Sequence, residues 1–272
     1  RAAEVLRITQ PAVSKAVAEM ERAIGFALFH RIKGRLHPTA EGQLLFREVE
    51  QTFTGLAHLR GAAARIRDYG SGELRVACLS ALSTNVVPRA IKAFLTRNPK
   101  VAITFQTRMS SVVRDLVASG QFDVGLAADE IDKTGLDVRP FVQDRVALAV
   151  PDGHRLLAKE VVRPADLADE AFIALAPEDT ARREAELALA EAGVSIRTII
   201  ETPYSTTICA MVAAGLGIGF VDPRTVEPYL GRGVSLRRYE PAIHFRTLLI
   251  LPPNRPPSAL LQEFIGDPEK AA

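Results

Sequence analysis

Cysteine occurs only twice in this chain, as Cys78 and Cys209, far apart and inside apolar runs (VACLS and TICAMV). That scarcity excludes a disulfide framework and a thiolate metal site, and it predicts two buried, reduced thiols. No stretch approaches the roughly 20 apolar residues of a membrane helix, and the first residues, RAAEVLRITQ, lack the charged, apolar, small-residue order of a secretion signal. A cytoplasmic protein with no membrane partner is expected. The histidines (His30, His37, His58, His154 and His244) show no HExxH spacing, and there is neither a G-x-S-x-G elbow nor a phosphate loop. These absences argue against an enzyme, and no residue pattern asks for a cofactor or a metal.

What is present is enough for two or three folding units: 272 residues, of which 47% are hydrophobic and 24% charged. Charge is uneven along the chain. Residues 1–69 hold 11 Lys+Arg against 7 Asp+Glu, an excess of +4, whereas the other 203 hold 23 against 25, a balance of −2. The front end therefore has the sign that a nucleic-acid partner requires.

Three breaks organise the sequence. At GRLHPTAEG (34–42) a turn-rich stretch gives way to a helix signal, with Thr39 as N-cap and Glu41 in the first turn. Leu44, Leu45, Val49, Phe53, Leu56, Leu59, Ala63 and Ile66 then recur at helical spacing over residues 42–69, interrupted only by Gly55 and Gly61. So long a stripe needs a partner along its length, supplied by a second copy or by the rest of its own domain. At DYGSGE (68–73) a Gly/Ser linker opens a region of alternating strands and helices. The runs LRVACL, VAITFQ, FDVGLA, VALAVP, FIALA, IGFVD and TLLILP predict strands, and the stretches 86–96, 111–119, 180–192 and 206–214 predict helices. The pattern is that of βαβ units on mostly parallel sheets, in one block at 74–146 and a second at 147–246.

Residues 2–42 carry the sharpest chemistry. Leu6 closes a short helix, Ile8 plugs a turn, and Thr9 can cap a second helix in whose first turn Pro11 costs no hydrogen bond. Val13, Val17, Met20 and Ile24 form the inward face of that helix. Its other face shows Gln10, Ala12, Ser14, Lys15 and Ala18, short or polar side chains that let a backbone approach base edges and phosphates. By itself this also fits an ordinary αα-hairpin. The following LFHRIKGRLHPT, two extended runs about Lys33-Gly34 bearing Arg31, Lys33, Arg35 and His37, reads as a basic hairpin suited to backbone or minor-groove contacts. We expect Gln10, Ala12 and Ser14 to approach bases, Lys15, Arg31, Lys33 and Arg35 to meet phosphates, and Thr9 and Pro11 at the helix start to belong to the same DNA-binding surface.

The motif AAxxLxxTQPAVSKAVxxME…LFxRxxGRLxPTxEG resembles the signature of the LysR-type transcription regulators, and the likeness extends through SGELRVACLSALS, ICAMVAAGLGIGFVDP and RPPSALLQEF. Within that family the chain is similar to the founding regulator of lysine biosynthesis and to regulators of opine catabolism. The resemblance implies a winged helix-turn-helix (residues 1–41), a linker and dimerisation helix (42–69), and an α/β effector domain of two periplasmic-binding-protein-like lobes, the first (74–146) completed by residues 247–272 and the second at 147–246. It also implies that the family's first helix precedes Arg1, that the protein is a dimer of dimers on an inverted repeat in double-stranded promoter DNA, and that RNA polymerase is a partner.

In such lobes a ligand binds where strand C-termini meet helix N-termini. Four corners qualify: Ser80 to Thr84 with Leu82 and Ser83, Ser110-Ser111, Asp179-Thr180, and Ser205 to Thr207 with Thr206 after ETPY; each hydroxyl can equally be only a helix cap. The first two match positions at which the family lines its cleft. Leu82, Ala127 and Phe220 are expected to supply apolar walls. Asp129, Glu130, Glu178, Glu201 and Asp222 fall at or near strand ends, where one or two can pair with a ligand ammonium. The expected effector is a small amino acid with a second cationic group, diaminopimelate or lysine first and an arginine-derived opine second. Alternatives are a regulator that answers an aromatic acid, or one that senses peroxide, for which Cys78 and Cys209 are poorly placed. A solute-binding protein would leave residues 1–67 without a purpose.

Overall fold

The computed structural model describes residues 9–32, 35–46, 48–49, 72–253 and 256–271, which fall into two compact units, one within residues 1–60 and one within 61–272. In the first, helix α1 (Gln10–Ile24) starts after Thr9 and ends at Gly25, whose φ of 83° is a left-handed value that favours glycine; its N–H returns to the Glu21 carbonyl. Thr9 takes the N-cap position with an extended backbone, but its side chain makes no capping bond, a correction to the expected cap. Val13, Val17 and Ile24 are half-buried on one face. The Glu21 carboxylate accepts from the Leu28 and Phe29 amides at 2.7 and 3.2 Å, which fixes the exit of α1 into the hairpin β1 (Phe29–Ile32) and β2 (Arg35–Pro38). These strands pair antiparallel, His30 opposite His37. Thr39 is buried and caps the helical residues 40–46: its Oγ1 accepts from the Gly42 amide at 2.8 Å and donates to the Ala27 carbonyl at 2.7 Å. Leu6, Ile8, Lys33 and most of the apolar stripe expected over 42–69 lie outside the described residues.

The second unit has two lobes. Lobe one is a five-stranded sheet ordered β4 (Ala102–Thr107), β3 (Glu73–Cys78), β5 (Val124–Ala128), β13 (His244–Leu251), β6 (Asp137–Arg145). Residues of β3 and β13 alternate between two cores: Val76, Cys78, Leu249 and Leu251 meet helices α2 (Val86–Arg97) and α7 (Ala259–Ala271), whereas Ala77, Leu248 and Ile250 meet α3 (Ser110–Ala118). Gly125 on β5 makes that second contact possible, since a Cβ there would lie 2.8 Å from Val113, Val117 and Ile250. Lobe two contains the sheet β11 (Gly219–Val221), β7 (Ala147–Pro151), β12 (Val234–Tyr239), β8 (Val161–Val162), with β9 (Ala171–Ala174) bridged to it beside Ile218 and paired to β10 (Arg197–Glu201).

The chain crosses between lobes twice, at Val146 between β6 and β7 and at residues 240–243 between β12 and β13. The strands that cross run against their neighbours: β13 is antiparallel to β5 and β6, and β7 to β11 and β12. The sheets are therefore mixed rather than mostly parallel, because parallel pairing needs a crossover element and the direct crossings supply none. Of the strands absent from the apolar runs of the sequence, β6, β8 and β10 lie at sheet edges where burial does not demand hydrophobic residues, whereas β12 lies inside its sheet and is missed because Arg237 and Arg238 interrupt its apolar character. Pro140 in β6 coincides with a register shift against Thr247/Leu248, as expected of a residue that cannot donate to the ladder.

Candidate functional site

On α1, Thr9, Gln10, Pro11, Ala12, Ser14 and Lys15 are all exposed, and the first turn carries no acidic residue. The positive end of the helix is thus free of local negative charge, as an approach to phosphate requires. Lys15 sits 3.8 Å from Glu19, but both groups are well exposed and such a pair contributes little, so Lys15 stays available to another anion. His37 on the hairpin is exposed as well. The side chains of Arg31 and Arg35, like the whole of Lys33, lie outside the described residues.

Between the lobes of the second unit is a cleft of about 80 Å³. The C-terminal end of β3 brings Leu79, Ser80 and Ala81 to it, the end of β4 brings Arg108, Met109 and Ser110, and the end of β5 brings Ala128 and Glu130. From lobe two come Leu175, Ala176, Glu178 and Asp179 before helix α4 (Thr180–Glu191), Pro203 to Ser205 at the start of α5 (Ser205–Ala213), and Asp222 after β11. Strand β13 adds Phe245, Arg246 and Thr247.

Of the residues expected from sequence, Ser80, Ser110, Glu130, Glu178, Asp179, Ser205 and Asp222 line this cleft. The Ser80 hydroxyl lies 2.8 Å from that of Thr206, a bond that spans the lobes and places Thr206 beside the site. Ser83 Oγ instead donates back to the Ser80 carbonyl, Thr84 is exposed outside the lining, and Thr180 accepts from Arg183 at the start of α4. Ser111 lines an adjoining chamber. Leu82 and Ala127 are fully buried in lobe-one cores, and Phe220 packs edge-on against Phe172 and Tyr239 in lobe two, so none of the three walls the cleft. Strand alternation turns Ala127 and Phe220 away, the tight 3-10 turn Ser80–Leu82 does the same for Leu82, and Leu79, Leu175 and Phe245 supply the apolar wall. Sequence reasoning also missed Arg108, Tyr204, Arg246 and Thr247. Only Arg108 carried a local signal, as a cation placed between the end of a strand and the Ser110 corner.

The cleft is electrostatically divided. Arg108 donates to the Thr107 carbonyl at 2.9 Å and has no ion-pair partner among the described residues, which leaves its charge for a carboxylate. Ser110 Oγ accepts from the Ala128 amide at 3.1 Å. Against this stands a group of acids. Burial pushes the Glu130 carboxyl up to about 7, with Asp179 and Asp129 reinforcing the shift and its own amide and Ser110 opposing it. Its Oε2 is shut from solvent without a hydrogen-bond partner. Asp179 caps α4 through the Arg182 amide at 2.9 Å and is raised, chiefly by burial. Asp222 accepts from the Arg224 amide at 2.8 Å and is pushed up to about 6, first by burial and then by Asp144. Arg246 is committed to Glu184 at 2.7 Å, with Asp129 at 3.9 Å, and Glu201 is tied to Arg182 at 2.5 Å away from the lining.

The two thiols stand apart from this chemistry. Cys78 lies in a lobe-one core and Cys209 in a lobe-two core, both inaccessible, and burial pushes each up to about 12. Neither presents a thiolate to an oxidant near neutral pH.

Comparison with known proteins bears on both units. A family model described as a bacterial regulatory helix-turn-helix protein of the lysR family matches residues 1–43, and one described as the LysR substrate binding domain matches residues 67–266. The chain is 36% identical over 265 residues to the transcriptional activator protein LysR of Escherichia coli, covering 97% of this chain and 85% of that one. It is 35% identical over 263 residues to the regulatory protein NocR of Agrobacterium tumefaciens (97% and 88% covered), and 30% identical over 266 residues to the octopine catabolism/uptake operon regulatory protein OccR of Rhizobium meliloti (97% and 87%). Among solved structures, full-length CbnR complexed with its target DNA superposes with a TM-score of 0.70 at 20% identity, covering 100% of this chain and 93% of that one. None of the helices described here is long and apolar enough to cross a membrane.

Proposed function

Since the chain belongs to the LysR family of bacterial DNA-binding transcription regulators, which join a helix-turn-helix reader to an effector-binding domain, we propose that its own effector is a small basic amino acid or a derivative, diaminopimelate or lysine first and an arginine-derived opine second, and that it controls genes of amino-acid metabolism. The observation that carries this reading is Glu130, whose Oε2 is enclosed in the cleft without a donor. A buried carboxylate oxygen without a partner costs free energy, and a ligand ammonium removes that cost. The hydroxyls of Ser80, Ser110 and Ser205, the α3 and α5 N-termini and Arg108 suit the carboxylate of the same molecule. The octopine operon regulator among the relatives supports the same ligand chemistry.

If so, lysine or diaminopimelate at 100 times its dissociation constant stabilises the effector domain by about 2.7 kcal/mol, a rise of roughly 5 to 10 °C in Tm. Thermal shift against the amino acids, diaminopimelate and common opines tests this. A shift with an aromatic or dicarboxylic acid, and none with any amino compound, removes the amino-acid reading.

The regulator acts, on this reading, as a dimer of dimers on an inverted repeat in promoter DNA, with RNA polymerase as a further partner and the cytoplasm as its place of work. Sedimentation at micromolar concentration should show a tetramer, and a strictly monomeric species contradicts it.

A further inference from the structure

Beside the inner cleft lies a second chamber of about 350 Å³. The two share Met109, Ser110, Glu130 and Glu178, so these residues form the neck between them. Beyond the neck the outer chamber is lined by Ser111, Arg114 and Asp132 among others. Arg114 is spent there on structure: it donates to the carbonyls of Asp132 and Thr134 at 3.2 and 2.9 Å and lies 3.6 Å from the Asp132 carboxylate. It has little left for a ligand. The neck is different. Glu130 Oε2 has no partner, and Glu178 is exposed with neither a hydrogen bond nor an ion pair among the described residues. The unpartnered Oε2 of Glu130 and the carboxylate of Glu178 thus stand together where the two chambers meet.

The inner cleft, at about 80 Å³, is the smaller of the two, and the outer chamber, at about 350 Å³, leaves room for what extends past the neck.

Resting on the amino-acid reading above, we infer that the neck formed by Glu130 and Glu178 is a separate subsite for the effector's distal cation, and that the outer chamber holds whatever extends past it. The head of the ligand stays with Ser80, Ser205 and Arg108. Chain length is then selected by the distance from that head to the neck, and a substituent on the distal nitrogen is admitted because the chamber beyond is open.

Isothermal titration of the full chain with 2,3-diaminopropionate, ornithine, lysine and norleucine tests this, with Glu178→Gln alongside. The expected result is that affinity rises along the diamino series, that lysine exceeds norleucine by about tenfold or more, and that Glu178→Gln narrows that preference severalfold, Glu130 retaining the rest, while leaving norleucine binding as before. Unchanged norleucine binding also reports an intact fold. Lysine and norleucine binding equally to the unaltered protein would end the basic-amino-acid reading, and this inference with it. Lysine preferred over norleucine, but undiminished in Glu178→Gln or matched by 2,3-diaminopropionate, overturns the neck subsite alone and returns the cation to the inner cleft, where Asp179 and Asp222 are the remaining acids.

Discussion

Replacing Arg31, Lys33 and Arg35 together by alanine is expected to weaken binding to every duplex, cognate or random, by on the order of 100-fold per protomer at about 0.15 M salt. Each phosphate contact releases about 0.9 of a condensed counterion, so three lost contacts flatten the slope of log K against log salt by nearly three, and Arg35→Ala alone by about one. Gln10→Ala should behave differently. Gln10 is exposed at the leading end of α1, where a side chain reaches base edges rather than the backbone. Its loss is expected to cost about 1–3 kcal/mol on the cognate site and to relax sequence preference, with the salt slope unchanged. Fluorescence anisotropy on cognate and random duplexes at several salt concentrations separates the two. Equal losses on both duplexes for Gln10→Ala, or an unaltered slope in the triple variant, would contradict the assignment.

The second large effect is in pH. Glu130 keeps its proton up to about pH 7 in the unliganded domain, and a neutral carboxyl offers little to an ammonium. As pH rises through that value the carboxylate forms and effector affinity rises with it. Below it, affinity falls tenfold per unit, so binding at pH 5 should be about 100-fold weaker than on the plateau above pH 8, a difference of about 2.7 kcal/mol. Asp222, pushed up to about 6, steepens the fall below that point if it also faces the ligand. Calorimetry in buffers of different ionisation enthalpy should register about half a proton released per effector bound at pH 7. The unliganded domain responds in the opposite direction: its folded state holds a proton that the unfolded chain has lost, so between the usual carboxylate value and about 7 its stability falls as pH rises. Glu130→Gln is expected to abolish the limb between pH 6 and 8, and an affinity flat from pH 5 to 8 in the unaltered protein would remove Glu130 from the site.

Much of this was readable before any coordinates. The TQPAVSK run gave a helix with an exposed small and polar face, and Thr39 began the next helix by a hydrogen bond that reaches only three residues along the chain. Asp179 did the same for α4. The serine corners were legible for the same reason, although a cap and a ligand-binding hydroxyl look alike in sequence: Ser80 and Ser110 proved to face the cleft while Ser83 turned back on its own chain.

What the sequence determined by itself was therefore local: element type where apolar period and caps agree, the family signature, and the excess of basic residues at the front. Tertiary structure alone decided which of these meet. Phe245 and Arg246 reach the cleft because β13 returns to lobe one beside β5, pairing Thr247 with Ala128 across more than a hundred residues of chain. Leu82 and Ala127, one or two positions from lining residues, are instead lost to the cores because adjacent residues of a strand or tight turn point to opposite sides. Glu130 is distinguished from Asp129, its neighbour in sequence, only by enclosure: one oxygen is cut off from water, while the Asp129 carboxylate lies within 3.9 Å of Arg246. Periodicity and capping are short-range and written in consecutive residues, whereas desolvation and long-range pairing depend on what distant segments bring, and no single segment carries that information.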